Sequence, residues 1–137
     1  MSVRIARCAC SRLRITCEGE PERVSICTCT ACQRRTGSVY GVGAYFDQRA
    51  IRLIEGESKV FSRTSDAGRW LRMHFCPSCG TTVYWEAEFM PGKMGVAVGA
   101  FVDASLQPRV AVWTQHKSDW APLPEGIPTY EQAVPSR

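Results

Sequence analysis

The sequence predicts a mostly β domain of short antiparallel strands, and three patterns support this prediction. Polar and apolar residues alternate over residues 12–17 and 71–75, with the period of two that marks a half-buried strand. Segments rich in glycine, proline or glutamate at 18–21, 55–57 and 91–92 separate such stretches, as turns do in all-β domains. Seven of the eight cysteines lie in three close clusters, a pattern typical of a small domain that binds metal.

Further short strands complete the predicted architecture. They are expected at 41–46, 51–54, 81–85, 96–98 and 110–112. Many short strands at this spacing favour an antiparallel sandwich or a barrel-like arrangement.

One helical turn is expected among these strands, at residues 31–36. Thr28 or Thr30 is placed to act as its N-cap, and Gly37 is placed to end it. A helix N-terminus at this position would direct backbone N–H groups towards the cysteines beside it, and would stabilise negative charge on their sulfurs.

Composition and length limit what kind of protein this is. With 137 residues, of which 45% are hydrophobic, the chain is expected to form a single domain over residues 1–131, followed by a short tail at 132–137. The formal net charge is +4, but metal-binding thiols lose their protons and would offset most of that excess. The arginines are scattered and not interleaved with aromatic residues, so nucleic-acid binding is not expected. No apolar run reaches the length of a membrane span.

The cysteine clusters indicate metal binding and not disulfides. They read Cys8-Ala9-Cys10, Cys27-Thr28-Cys29-Thr30-Ala31-Cys32 and Cys76-Pro77-Ser78-Cys79. Residues 1–7 include basic residues, but no apolar stretch of signal-peptide length follows them, so a reducing cytoplasmic location is expected. Thiols that stay reduced and clustered usually hold metal. A set of several thiolates favours zinc, with iron as the main competitor.

Four of these cysteines can complete one metal site. Cys76 and Cys79 have the spacing of a zinc knuckle, which presents two sulfurs to one ion and needs two more ligands. Cys8 and Cys10 can supply them from the start of the chain. A site of four thiolates is closed, and its binding energy contributes to folding.

The central cluster offers three sulfurs, from Cys27, Cys29 and Cys32. Three protein ligands leave a fourth position on zinc open, and an open position is where chemistry can occur. Cys17 is a candidate for closing that position, which would make the site purely structural. The alternative is that Cys17 is a buried thiol that binds no metal, because it lies on the apolar face of its predicted strand.

Several segments carry a resemblance to a known family. In chain order they are Cys8-x-Cys10; Cys27-x-Cys29-x-x-Cys32-Gln33-Arg34-Arg35-Thr36-Gly37-Ser38; Phe75-Cys76-Pro77-x-Cys79-Gly80; Val96-Ala97-Val98-Gly99-Ala100-Phe101; Val112-Trp113; Lys117-x-x-Trp120; and Leu123-Pro124-x-Gly126-Ile127-Pro128-x-Tyr130. Together they resemble the glutathione-dependent formaldehyde-activating enzyme family, which includes centromere protein V. The resemblance covers nearly the whole chain. One departure is Ser11, where the family usually has glycine after the first Cys-x-Cys.

The resemblance implies a fold, two metal sites and a reaction. The fold is the β-tent, a pair of antiparallel sheets that binds zinc. The implied ligands are Cys8, Cys10, Cys76 and Cys79 for a structural zinc, and Cys27, Cys29 and Cys32 for a second zinc that three ligands hold less securely. The implied reaction adds glutathione, or a similar thiol, to formaldehyde and gives S-hydroxymethylglutathione. Its reverse breaks a carbon–sulfur bond, so the implied class is a carbon–sulfur lyase.

Substrate contacts and an alternative function follow from the same residues. Arg34 and Arg35 are candidates for pairing with the carboxylates of glutathione, although adjacent arginines are often simply solvated. His74 and His116 are weaker candidates for a ligand or a catalytic base. The alternative function is a non-catalytic, zinc-stabilised module that binds a protein partner, in which both metals are structural.

Overall fold

A computed structural model of the chain describes residues 2–135. Ten strands make up most of the ordered structure. They are β1 Val3–Arg7, β2 Arg14–Glu18, β3 Arg23–Cys27, β4 Gly41–Asp47, β5 Ile51–Glu55, β6 Lys59–Thr64, β7 Trp70–Phe75, β8 Thr82–Ala87, β9 Lys93–Ala97 and β10 Val110–Val112. Helix α1 spans Thr30–Thr36, helix α2 spans Val98–Phe101, and short 3-10 turns span Gln48–Ala50 and Thr114–His116.

The strands form two sheets, as the mostly β prediction requires. One sheet has three strands in the order β1-β2-β5, and the other has seven in the order β10-β3-β4-β9-β8-β7-β6. Neighbours pair antiparallel in both sheets, apart from β10, which pairs parallel to β3. The predicted two-sheet, mostly β fold with a single well-formed helix is therefore confirmed, and β10 adds a parallel edge to it.

The main core lies between the two sheets. Ile15 from the small sheet, Leu13 from the turn before it, and Ala44 and Phe46 from β4 are completely buried there. Because side chains alternate across a strand, the other residues of β4 face away from this core. Those residues, among them Tyr45, face a second buried cluster on the far side of the large sheet. The large sheet therefore has one face in the core and one face available for a site.

Most predicted strands differ from the structure by a few residues at one or both ends, and two of these differences have a local cause. The strand expected at 12–17 begins at Arg14, because residues 8–13 form a turn closed by the bond from Cys8 N–H to the Leu13 carbonyl, 3.0 Å long. The strand expected at 96–98 ends at Ala97, and Val98 begins α2.

Helix α1 begins and ends at residues that explain its length. Its N-cap is Cys29, whose sulfur accepts a bond from the backbone N–H of Cys32 at 3.3 Å. The expectation that Thr28 or Thr30 caps the helix is therefore wrong, since the Thr28 hydroxyl instead donates to the Trp113 carbonyl at 2.6 Å. Gly37 ends the helix, as expected, with a left-handed φ of 65° that suits a residue lacking Cβ.

The C-terminal segment returns to the large sheet. Trp113 N–H donates to the carbonyl of Gln132 at 3.1 Å, and Tyr130 N–H donates to that of Ala111 at 2.9 Å. Of the predicted tail at 132–137, Ser136 and Arg137 lie outside the described residues. Within residues 2–135, no helix combines the length and the apolar character that crossing a membrane requires.

Candidate metal centres and the adjoining cavity

The first cysteine cluster joins the start of the chain to the hairpin of β7 and β8. The sulfurs of Cys8, Cys10, Cys76 and Cys79 all lie within 4.8 Å of one another. Cys8 Sγ is 3.6 Å from Cys10 Sγ, which in turn is 3.7 Å from Cys76 Sγ. Zinc–sulfur bonds of about 2.3 Å in a tetrahedron place adjacent sulfurs about 3.8 Å apart. The four sulfurs therefore match the geometry of a zinc site.

Donors around this cluster favour negatively charged sulfur. Leu13 N–H donates to Cys8 Sγ at 3.2 Å, and Ser78 N–H lies 3.4 Å from Cys76 Sγ. The hydroxyl and backbone N–H of Thr81 lower the pKa of Cys79 to about 5. Because metal binds the thiolate form, these donors prepare the cluster to hold a cation.

Ser11 lies in the turn that brings Cys8 and Cys10 together, and its backbone is strained. Its φ is 65°, a left-handed conformation that glycine adopts freely and other residues rarely adopt. The turn closes through a bond from Ser11 N–H to the Cys8 carbonyl at 3.0 Å. The position therefore has the backbone conformation of a glycine although it carries a side chain.

The second cluster lies where β3 runs into α1. Cys27 ends β3, Cys29 caps α1 and Cys32 lies in its first turn. Their three sulfurs also lie within 4.8 Å of one another. This set, predicted from the sequence, is brought together in the structure and could hold a metal ion with three thiolates.

In the second cluster the surroundings lower the pKa of Cys29. Hydrogen bonds from the Cys27 and Cys32 thiols lower the pKa of Cys29, and the Cys32 N–H and the positive charge of Arg63 lower it further, although burial opposes them. A hydrogen bond with Cys27 and the positive charge of Arg35 lower the pKa of Cys32, but the hydrogen bond with Cys29, burial and the Cys29 charge outweigh them and raise it overall. Arg63 and Arg35 thus each favour negative charge on one sulfur of the cluster.

A cavity of about 300 Å³ opens beside the second cluster, on the free face of the large sheet. All three cysteines of the cluster line it. Its apolar wall is formed by Tyr45, Leu71, Met73, Trp85, Phe89 and Met90. The residues 133–135 of the C-terminal segment also line it. The volume lies in the range of pockets for small ligands.

Two glycines, Gly41 and Gly43, line the cavity, and a third, Gly95, lies against the Trp85 ring. A Cβ at Gly41 would lie 2.4 Å from Arg35 Nη2, and one at Gly43 would lie 2.8 Å from Trp85 Cζ2. A Cβ at Gly95 would lie 2.2 Å from Trp85 Nε1. The glycines therefore allow Arg35 and Trp85 to lie flat on the sheet beside the cysteines.

The structure separates the two adjacent arginines of the sequence motif. Arg35 turns into the cavity, where its guanidinium carbon lies 4.9 Å from the centre of the Trp85 ring. Its Nε is buried and, among residues 2–135, has no hydrogen-bond acceptor. Arg34 is exposed and, in this part of the chain, does not line the cavity. Arg35 is thus placed to meet a ligand, and Arg34 is not.

Sequence reasoning missed three further arginines of the cavity. Arg23 comes from β3, Arg63 from β6 and Arg69 from the turn before β7. Asp66, in that same turn, is the one acidic residue among the described residues of the wall. Arg23 and Arg63 lie towards opposite edges of the large sheet and line the same cavity. Only the order of the strands brings them to one site, so nothing local in the sequence marks them.

The other sequence candidates lie elsewhere or have partners. Cys17 is completely buried in β2 and belongs to neither cysteine cluster of the described residues; it is the buried thiol and not a fourth ligand. His74 bonds to Glu86 Oε1 at 2.8 Å and stacks on Tyr84. His116 Nε2 lies 3.8 Å from Asp66 Oδ2, so it lies near the rim of the cavity.

Comparison with known proteins agrees with this architecture. A crystal structure of a Rhodobacter sphaeroides protein, from the Northeast Structural Genomics programme, is similar with a TM-score of 0.56 and 19% identity, over 92% of this chain and 98% of that one. At that identity the likeness concerns the fold. No curated protein matches the chain by sequence. Residues 3–116 match the sequence profile described as glutathione-dependent formaldehyde-activating enzyme. The profile spans both cysteine clusters and most of the cavity wall, and the chain therefore belongs to the glutathione-dependent formaldehyde-activating enzyme family.

Proposed function

We propose that this protein is a zinc-dependent carbon–sulfur lyase of the S-hydroxymethylglutathione synthase type. It would join a glutathione-like thiol to formaldehyde, or release formaldehyde from the adduct. The observation that carries the proposal is the placement of three clustered cysteines on the wall of a cavity rich in arginine. Membership of the family supports the same reaction.

The two cysteine clusters support different tasks for the two metals. The cluster of Cys8, Cys10, Cys76 and Cys79 uses four ligands and would hold a structural ion. Zinc held by the other three cysteines would keep a position for one more ligand, and its charge would lower the pKa of a substrate thiol. The eight thiols are free in the structure, which suits a reducing compartment such as the cytoplasm.

The cavity supplies binding and orientation. Four arginines against one aspartate give its wall a positive balance, which suits the two carboxylates of glutathione. Arg35 has the clearest role, because its buried Nε needs an acceptor and a guanidinium can bind a carboxylate with two hydrogen bonds. Holding thiol and aldehyde side by side replaces a chance encounter in solution with a positioned one. The apolar wall around Trp85 would reduce the access of water to the reacting atoms.

Replacing one ligand at each site tests the assignment of tasks. Cys29→Ser should remove one zinc and abolish glutathione binding while the fold is kept, because serine remains a good N-cap for α1. Cys76→Ser should remove the other zinc and unfold the protein at much lower temperature, since structural zinc contributes folding energy. Native mass spectrometry counts the metals and any glutathione adduct, and thermal denaturation reports the fold.

The same experiment separates the enzyme from a binding module. If wild-type protein with two zincs forms no adduct at millimolar glutathione and does not accelerate exchange between formaldehyde and its glutathione adduct, the glutathione reaction is wrong. Equal loss of folding in the two variants would instead support a protein-binding module in which both metals are structural.

A further inference from the structure

Tyr45 lies in the cavity wall and carries a hydroxyl to which the proposed function assigns no role. The residue is 7% exposed and lines the same cavity as Cys27 and Cys32. Its ring leans along β4, since a Cβ at Gly43 would lie 3.3 Å from Tyr45 Cε2. Gly43 pairs with Ser25 and the next pair on that face is Gly41 with Cys27. The ring therefore leans towards the cysteine cluster.

The hydroxyl of Tyr45 has a fixed position and a proton to donate. Trp85 Nε1 donates to its oxygen at 3.1 Å. Among residues 2–135, this is the one hydrogen bond of the Tyr45 hydroxyl. The hydroxyl oxygen accepts in this bond, so the hydroxyl proton has no acceptor in this part of the chain. Burial, together with the nearby Cys32 and Cys27, raises the pKa of Tyr45 to about 12 although the Trp85 bond opposes this. The group stays protonated at neutral pH.

We infer that Tyr45 is a catalytic residue whose hydroxyl donates a hydrogen bond to the oxygen of the aldehyde and of the adduct. The inference rests on the proposed function and adds a specific donor to it. A donor held in place by Trp85 needs no reorganisation when charge develops on that oxygen, which is how preorganised donors accelerate addition to carbonyls.

The step balances without an oxidant or a reductant. A lone pair of the thiolate sulfur forms the carbon–sulfur bond, and the π pair of the carbonyl moves onto oxygen. The Tyr45 hydroxyl donates a hydrogen bond to that oxygen while negative charge develops on the oxygen. A proton from solvent then completes the hydroxyl of the adduct, and it balances the proton that the thiol released to solvent on binding. In the reverse direction the hydrogen bond from Tyr45 polarises the oxygen as the carbon–sulfur bond breaks.

Tyr45→Phe in the zinc-loaded protein tests this role. Exchange NMR with ¹³C-labelled formaldehyde measures the catalysed interconversion of glutathione and its adduct above the uncatalysed background. We expect the catalysed rate constant to fall on the order of 10²-fold. A titration provides a readout besides activity: affinity for the adduct should fall about 3- to 10-fold, as for one lost hydrogen bond, while affinity for glutathione alone is unchanged.

Tyr84→Phe is the matched control. Tyr84 is on β8 of the same sheet, is 5% exposed, and packs in the other core cluster, against His74. Loss of its hydroxyl should change neither readout. A folded Tyr45→Phe variant with wild-type rate and wild-type adduct affinity overturns the inference and leaves the proposed function intact. Wild-type protein that neither accelerates exchange nor prefers the adduct overturns both.

A second substitution covers the case in which Tyr45→Phe does not fold, because it leaves Trp85 Nε1 without its acceptor. Incorporation of 3-fluorotyrosine at position 45 keeps the ring and the oxygen but makes the hydroxyl a stronger donor. Affinity for the adduct should then rise while affinity for glutathione stays the same. An unchanged ratio of the two affinities contradicts the inference.

Discussion

The indole of Trp85 lies across Gly95, so that a Cβ at Gly95 would sit 2.2 Å from Trp85 Nε1. The two residues face each other on neighbouring strands, since Trp85 of β8 pairs with Gly95 of β9. The absence of a side chain at Gly95 therefore leaves the space occupied by the ring that donates to Tyr45 and stacks against Arg35. This arrangement of three side chains in the cavity thus depends on the glycine.

Gly95→Ala should destabilise the protein and disturb the cavity together. The added methyl group forces Trp85 or the backbone to shift, and overpacking of this kind costs about 1–3 kcal/mol. Urea denaturation measures the loss of unfolding free energy, and Trp fluorescence reports the displaced indole.

Gly99→Ala provides the control for Gly95→Ala. It lies in α2, and a Cβ there meets no atom of the described residues within 4 Å. It should keep or raise stability, because alanine is favoured over glycine in helices by about 1 kcal/mol. Equal stability of the two variants would contradict the placement of Trp85.

Arg35→Gln should weaken glutathione binding while Arg34→Gln leaves it nearly unchanged. Arg35 lies in the cavity and Arg34 is exposed outside it. Hydrogen bonds to charged groups contribute about 1.5–3 kcal/mol, so the dissociation constant should rise about 10- to 100-fold for Arg35→Gln. Isothermal titration of zinc-loaded protein measures it, and circular dichroism shows whether the stacking of Arg35 on Trp85 also supports the fold.

Comparison of the Arg35 and Arg34 variants shows whether Arg35 binds the ligand directly or only adds positive charge to this region. A similar, small effect of both substitutions would mean that the positive charge of this region attracts the ligand only at long range. In that case raising the ionic strength should abolish the difference between each variant and the wild type, because exposed charges are screened by salt.

Much of the fold could be predicted because its signals are local. Alternation along a strand depends on neighbours two positions apart, and residues 71–75 show it clearly. The two groups of cysteines that meet in the structure could be predicted because clustered thiols are typical of metal sites, and the spacing of Cys76 and Cys79 is that of a knuckle. Gly37 was predictable because few residues adopt a left-handed φ at a helix end.

The cavity could not be predicted, because its wall is assembled by strand order. Arg63 is on an edge strand, and four strands in sheet order lie between it and Arg23 on β3. The pattern of the sequence gives no register between such distant strands. The cap of α1 was missed because cysteine is not among the usual N-cap residues, whereas propensities favour the threonines beside it. The Cys29 sulfur nevertheless accepts from the Cys32 N–H, and the lowered pKa of this thiol strengthens it as an acceptor.

Cys17 should make stability depend on pH in the alkaline range. Burial raises the pKa of this thiol from 9.0 to about 12, although Arg4 opposes the shift. The pKa of Cys17 is higher in the folded than in the unfolded protein. The contribution of the neutral Cys17 thiol to the free energy of unfolding is therefore fully present below pH 9 and is lost as pH rises towards 12. Wild-type protein should therefore lose up to about 1.4 kcal/mol more per pH unit in this window than Cys17→Ala, as for one proton.

Urea denaturation of both proteins at several pH values between 8 and about 12 measures that difference. Cys17→Ala also leaves a small cavity, so its stability is lower at neutral pH, but a cavity has no pH dependence. Parallel curves for the two proteins would contradict the expected ionisation of Cys17. Both zinc contents should stay the same, because Cys17 belongs to neither cluster of the described residues.

Ser11→Gly should stabilise the protein through its first metal cluster. Ser11 has a φ of 65°, and a left-handed conformation costs a residue with a Cβ about 1–2 kcal/mol. Glycine removes that strain but is more flexible in the unfolded chain, which returns about 0.5–1 kcal/mol. The net gain in unfolding free energy should be about 0.5–1 kcal/mol.

Ser11→Ala separates the backbone effect from loss of the hydroxyl. Alanine keeps the Cβ and therefore the strain, so this variant should be no more stable than the wild type. Urea denaturation at saturating zinc compares the three proteins, and the rate of zinc release to a chelator reports the turn itself, which the Ser11 N–H closes onto the Cys8 carbonyl. Slower release from Ser11→Gly alone would show that the relaxed turn holds Cys8 and Cys10 more firmly around the metal. Equal gains for glycine and alanine would instead assign the effect to the hydroxyl, and would mean that the left-handed φ at Ser11 carries no strain.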